Sequence, residues 1–282
     1  MNPKCLMSTM LFLGFLLGCQ VKPTKITNQE PVVGEGSFAD SLMKDKPVIL
    51  DVRPAFEFNL SHVPGAINVR WEDFSQQDPR SRGLLDNDLF SLARRLSLVG
   101  IDPDTKVVVL GQGPQGAGEE GRIAWTLKVL GVRDVYTLVH SSYRAMNPKE
   151  EPLVQNKPYW KPQVQDSLMI SYKEFKNLAE KEDVDTVILD VRLPEEFKLR
   201  NISMTKNVKA KLEYLEWKEF FGDKGLPTKS IEAKLTAKGL SKDTRILVIS
   251  NHGVRSGAAT YALQYLGYKN VRNFAGGYEQ WK

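Results

Sequence analysis

Two apolar runs, Val48-Ile49-Leu50 and Val187-Ile188-Leu189, each end in Asp-Val-Arg. They lack polar alternation, which marks strands buried on both faces, as in a parallel sheet. Lys106-Val107-Val108-Val109-Leu110 and Arg245-Ile246-Leu247-Val248-Ile249 show the same pattern. Each of these ends in a Gly-containing loop that feeds a helical period. Helices are predicted over 122–130, stopped by Gly131, and over 255–266, stopped by Gly267. Val135-Tyr136-Thr137-Leu138 and Val271-Arg272-Asn273-Phe274 read as further short strands. Strands alternating with helices predict α/β domains with parallel sheets.

The pattern occurs twice. Leu50-Asp51-Val52-Arg53 returns 139 positions later as Leu189-Asp190-Val191-Arg192. Glu57-Phe58 matches Glu196-Phe197, and Asn68-Val69 matches Asn207-Val208 at the same shift. His62-Val63-Pro64-Gly65-Ala66 matches residues 201–205 more loosely. Leu130-Gly131 and Leu266-Gly267 are 136 apart, so the first loop is three residues longer. Such a period means domain duplication rather than a solenoid. Residues 144–168 carry four Pro and little pattern, and read as the linker. The expected partition is 1–18 leader, 19–36 tether, 37–143 first domain, 144–168 linker and 169–282 second domain.

Composition adds exclusions. Lys+Arg 39 against Asp+Glu 34 gives a formal charge of +5, without a run of five basic residues. No nucleic-acid partner is expected. With 3 His and 2 Cys, no metal site or cofactor is expected either. Both cysteines lie near the N-terminus. Lys4 precedes an apolar run from Leu6 to Leu17, too short to span a bilayer but suited to an export signal. Leu16-Leu17-Gly18-Cys19 resembles the bacterial lipobox. That resemblance implies lipid on Cys19, a membrane anchor and a place in the cell envelope, on the periplasmic side. Gln20 after the cysteine points to the outer membrane. The alternative is a plain signal peptide with a chance Cys. Residues 20–36 are polar, with Pro and Gly, and suit a flexible tether. With Cys5 cleaved away and Cys19 acylated, no free thiol and no internal disulfide remain.

In combination, several motifs resemble the tandem rhodanese (thiosulfate sulfurtransferase) family. They are Asp51-Val52-Arg53 with His62-Val63-Pro64-Gly65-Ala66, Asp190-Val191-Arg192, the loop Asn251-His252-Gly253-Val254-Arg255-Ser256, and the ending Asn273-Phe274-Ala275-Gly276-Gly277-Tyr278-Glu279-Gln280-Trp281. The resemblance covers residues 37–282. It implies two rhodanese-like domains, each a central parallel sheet flanked by helices. It also implies transfer of a sulfane sulfur through a Cys persulfide at the start of a strand-to-helix loop. Loop amides and a helix N-terminus suit a thiolate there.

That cysteine is missing. The position is Ser250 in the second domain and Gly111 in the first, within Gly111-Gln112-Gly113-Pro114-Gln115-Gly116-Ala117-Gly118. A serine oxygen carries no sulfane sulfur, and a serine nucleophile needs a base and an orienting group. His252, two residues away in the same loop, is poorly placed for that. Three readings stay open: an inactive module binding an anion or a partner; a thiosulfate or sulfane sulfurtransferase of unrecognised mechanism; and a Ser-dependent hydrolase. The candidate anion loop is Ser250, Asn251, His252, Gly253, Val254 and Arg255, for thiosulfate, sulfate or phosphate; the alternative is a loop that closes a βα turn, with Arg255 ion-paired. No protein partner can be read from the sequence. Arg53 and Arg192 either face a cleft or pair with their aspartates. His62 suits a backbone bond in a turn. The glycines of 113–118 lack a Lys-Ser/Thr ending, so no Walker-type loop is expected.

Overall fold

The structure is a computed structural model that describes residue 42 and residues 45–146 and 155–281. Cys5, Cys19, the leader and the tether lie outside the described residues.

The apolar runs form two all-parallel sheets of four strands. In the first, β1 (Val48–Asp51), β2 (Ile67–Asn68), β3 (Val107–Gly111) and β4 (Val135–Val139) lie in the order β2-β1-β3-β4. In the second, β5 (Thr186–Asp190), β6 (Lys211–Tyr214), β7 (Arg245–Ile249) and β8 (Val271–Phe274) lie in the order β6-β5-β7-β8. The registers correspond, with Leu50 opposite Val109 and Leu189 opposite Val248. The central strands are buried because helices cover both faces.

In the first half the helices are α1 (Ala55–Leu60), α2 (Leu89–Leu98), α3 (Glu119–Leu130) and α4 (His140–Met146). The second half holds α5 (Tyr172–Glu180), α6 (Pro194–Leu199), α7 (Ile231–Ala237), α8 (Val254–Tyr265) and α9 (Gly277–Gln280). The helices after the two loops, α3 and α8, are buried nearly all round and pack against each other. Small residues permit this approach. A Cβ on Gly121 would lie 2.5 Å from the Ala258 Cβ.

The halves share one continuous core, with Leu50, Val109 and Trp125 in the same cluster as Leu189, Val248 and Ala259. Each half also clasps the other. A turn over Trp71–Phe74 leads into a strand-like bridge between Ser75 and Leu85, which brings Gly83 against the carbonyls of Ala275 and His252. A matching turn over Trp217–Phe220 leads into a bridge between Phe221 and Pro227. There the Lys224 carbonyl accepts from Val139 N–H, and the Gly225 carbonyl from Thr137 Oγ1 at 2.6 Å. The linker also lies against the first half: Trp160 Nε1 donates to the Ile101 carbonyl and Gln165 N–H to that of Val129. At the chain's end Trp281 is buried against Phe175 and Phe274.

Candidate functional site

β7 ends at Ile249, and the chain turns through 250–253 into α8. Ser250 is 1% exposed. Its Oγ accepts the Ser256 N–H at 3.2 Å and lies 3.0 Å from Ser256 Oγ. The Ser250 and Asn251 carbonyls accept from the N–H groups of Tyr278 and Glu279. Gly253 adopts φ +80°, and a Cβ there would lie 2.4 Å from the Ala275 carbonyl oxygen, so only glycine fits. The N–H groups of residues 251–255 make no hydrogen bond among the described residues. They form an open donor array at the N-terminus of α8.

Glu196 of α6 orders the loop's polar side chains. It receives Arg255 Nη1 at 2.5 Å and Nη2 at 3.0 Å, and Asn251 Nδ2 at 2.6 Å. Burial would raise the Glu196 carboxyl, but the bonds from Arg255, Leu193 N–H and Asn251 outweigh it and hold the group down at about 2. Arg255 is therefore already neutralised. His252 stacks on Trp71 with ring centres 5.5 Å apart, and its Nδ1 lies 3.6 Å from Glu279. Burial, then the charge of Arg82, lower the His252 pKa, so the ring is neutral near pH 7. Neither nitrogen bonds Ser250. A cavity of about 240 Å³ covers the loop, walled by Trp71, Glu119, Trp217, Lys218, His252 and Arg255.

Beneath the loop lies Arg122 of α3, fully buried. Its Nη1 donates to the Gly253 carbonyl at 3.0 Å and its Nη2 to the Gly83 carbonyl at 2.8 Å. Its guanidinium lies 4.6 Å from the Trp125 ring centre. No carboxylate pairs with it among the described residues, and burial pulls its pKa down to about 9, which leaves it charged at neutral pH.

The corresponding loop of the first half is closed from within. Glu120, at the place equivalent to Ser256, is buried, and a Cβ on Gly111 would lie 2.3 Å from its Oε2. The carboxyl fills the space that a side chain at 111 would need. Ala117 N–H donates to Glu119, and Gln112 Nε2 to Glu57 at 2.9 Å. Gly111→Cys should therefore destabilise the protein by about 1–3 kcal/mol, as overpacking does. Adding Glu120→Ser should relieve most of that loss, so urea unfolding of both singles and the double would show strong non-additivity.

Arg53 and Arg192 are committed to pairing. Arg53 grips Asp51 through Nε and Nη2 and donates to the Ser61 carbonyl. Arg192 does the same with Asp190 and the Arg200 carbonyl, its guanidinium 3.7 Å from the Tyr278 ring centre. Neither lines the loop cavity. His62 Nδ1 bonds the Phe58 carbonyl at 2.8 Å. Among the described residues there is no cluster of three His, Cys, Asp or Glu able to hold a metal, and no helix long and apolar enough to cross a membrane.

Sequence reasoning missed Arg122, Glu120, Glu196 as a clamp, and the tryptophan pair. The pair left a signal, because Trp71-Glu72-Asp73-Phe74 recurs as Trp217-Lys218-Glu219-Phe220. Charged residues inside a stretch that otherwise buries as a core helix were the signal for Glu120 and Arg122.

Two duplicated parallel-sheet halves, each with a strand-to-helix loop at its C-terminal edge, define a tandem α/β protein with its candidate site at the junction. The rhodanese-like domain model matches residues 36–144 and 171–282, and the chain belongs to that family. Its fold is similar to that of SseA from Escherichia coli, described as a 3-mercaptopyruvate sulfotransferase (19% identity, 85% of this chain and 95% of that one, TM-score 0.67). It is also similar to YnjE (20%, 83% and 60%, TM-score 0.64). A chain described as a "Probable Thiosulfate Sulfurtransferase" matches at 21% identity, over 83% and 94%, with a TM-score of 0.56. No curated protein matches.

Proposed function

We propose that this chain is a rhodanese-like binding module, lipid-anchored through Cys19 on the periplasmic side of the outer membrane, which holds a small oxyanion and transfers no sulfur. The observation that carries the reading is the oxygen of Ser250 at the base of a loop with five uncommitted amides. Those amides and the N-terminus of α8 favour an anion such as sulfate, thiosulfate or phosphate. Arg122 adds an unpaired positive charge below them. An alkoxide at 250 has no base beside it, since His252 faces Trp71 and Glu279, which counts against a Ser-dependent hydrolase.

Calorimetric titration of the full chain with sulfate tests the reading. One saturable site per chain is expected. Glu196→Gln frees the Arg255 fork, and should tighten sulfate about tenfold, the worth of one charge-assisted contact. Gly253→Ala should abolish binding, because the loop cannot keep its shape. Absence of saturable binding by both the wild type and Glu196→Gln would refute the oxyanion reading.

A further inference from the structure

A separate cavity, of about 710 Å³, shares no wall residue with the one over the loop. α8 starts at the loop and ends at this cavity, whose walls include Lys128 of α3, Arg133 after it, Tyr136 of β4, Gln163 of the linker, and Tyr261 and Tyr265 of α8. The Tyr136 and Tyr265 rings meet edge to face, their centres 6.5 Å apart. Tyr265 is 39% exposed. The Tyr261 hydroxyl is committed to the Val135 carbonyl at 3.0 Å. Among the described residues no Asp or Glu lines the cavity, and its two charged wall residues are both cations. Arg133 is ion-paired with Asp104. Lys128, half-buried, donates Nζ to the Arg133 carbonyl at 2.5 Å and has no carboxylate partner among the described residues. Burial lowers its pKa more than the charge of Asp134, which is off the wall, raises it.

The carbonyl ends of α3 and α8 would draw a cation here if they were open. They are capped. The Leu127, Lys128 and Val129 carbonyls accept from the N–H groups of Val132, Gly131 and Gln165. Those of Ala262, Leu263 and Gln264 accept from Leu266, Tyr268 and Gly267. What the wall offers is therefore a partly dehydrated ammonium, with N–H donors left over from its one bond. A single uncompensated cation calls for a monoanion. Two tyrosine rings call for a flat apolar body beside it. A cavity of this size that joins rings to a few polar groups is the usual form of a small-molecule site. We propose that this cavity binds an aromatic carboxylate, its head on Lys128 and its ring against Tyr136 and Tyr265.

The test is titration of the full chain with 2-naphthoate and, separately, with 2-(aminomethyl)naphthalene, which has the same body and the opposite charge. Saturable one-to-one binding is expected for the carboxylate only. Lys128→Met should weaken it about tenfold, the usual loss for a hydrogen bond between charged partners, and Lys128→Arg should keep most of it. Gln163 is an exposed wall residue, so its exchange spares the core. Gln163→Lys should strengthen naphthoate binding and Gln163→Glu weaken it. The opposed directions of those two variants separate ligation from damage to the fold. Saturating sulfate, which is expected at the loop, should leave naphthoate binding unchanged. Equal binding of the two probes, binding of neither or of the amine alone, Lys128→Met and Gln163 variants that all bind as the wild type does, or displacement of naphthoate by sulfate would overturn the proposal.

Discussion

Glutamine at position 120 is expected to stabilise the protein at pH 8 by on the order of 4 kcal/mol, and to change little at pH 4. Burial raises the Glu120 carboxyl from 4.5 to about 8, against the lowering pull of its own amide and that of Gly113. In the folded chain the group is therefore a neutral acid at pH 7. In the unfolded chain it ionises near its ordinary value. Between those two points unfolding releases a proton, so stability falls as pH rises through the window from 4.5 to 8. Above 8 both states are ionised and the loss is complete. A glutamine amide of the same shape has no proton to lose. Urea midpoints measured across pH should show a falling curve for the wild type and a flatter one for the variant, meeting at low pH. Parallel curves would mean that the carboxyl is not held neutral in the first loop.

Arg122→Ala is expected to cost about 3–5 kcal/mol. The side chain is fully buried, so truncation leaves a large void between α3 and α8. The Gly83 carbonyl loses its guanidinium donor, and the Gly253 carbonyl keeps the Gly257 N–H and Asn273 Nδ2. Removing an unpaired buried cation gives back some desolvation energy, but not the packing against Trp125. Lysine should rescue little, because a single ammonium cannot reproduce a fork that reaches two carbonyls in different halves of the chain. Equilibrium unfolding measures the loss, and sulfate titration of the folded fraction should show weakened binding as well. A change below about 1 kcal/mol would show that the clasp holds the halves without Arg122.

Much of the fold could be read from the sequence because its signals are local. Val107 to Leu110 and Ile246 to Ile249 are continuous apolar runs, and a parallel sheet buried on both faces leaves that trace. The repeated Asp-Val-Arg turns were equally visible, although whether Arg53 and Arg192 faced a cleft or their aspartates depended on side-chain direction. Ser250 and Gly111 were identified by position alone. What could not be read is paired over long separations. Arg122 meets Gly253 across 131 residues, and Glu196 meets Arg255 across 59. Whether Arg255 was free in the loop or ion-paired stayed open in the sequence, because its counter-charge, Glu196, sits on another helix. The reading of two domains with a linker described the duplication but not the shared core. That core follows from Gly121 and Ala258, whose small side chains let α3 and α8 touch. Glu120 was hidden for a similar reason, since nothing local says that a carboxyl fills the space above Gly111.

Cyanide-dependent thiocyanate formation from thiosulfate, measured on the wild type beside Ser250→Cys and Ser250→Ala, bears most directly on the absence of sulfur transfer. The account predicts no product above background from the wild type or the alanine variant. It predicts product from the cysteine variant, whose thiolate would sit among the amides that now surround an oxygen. Thiocyanate formed by the wild type and lost in Ser250→Ala would contradict it.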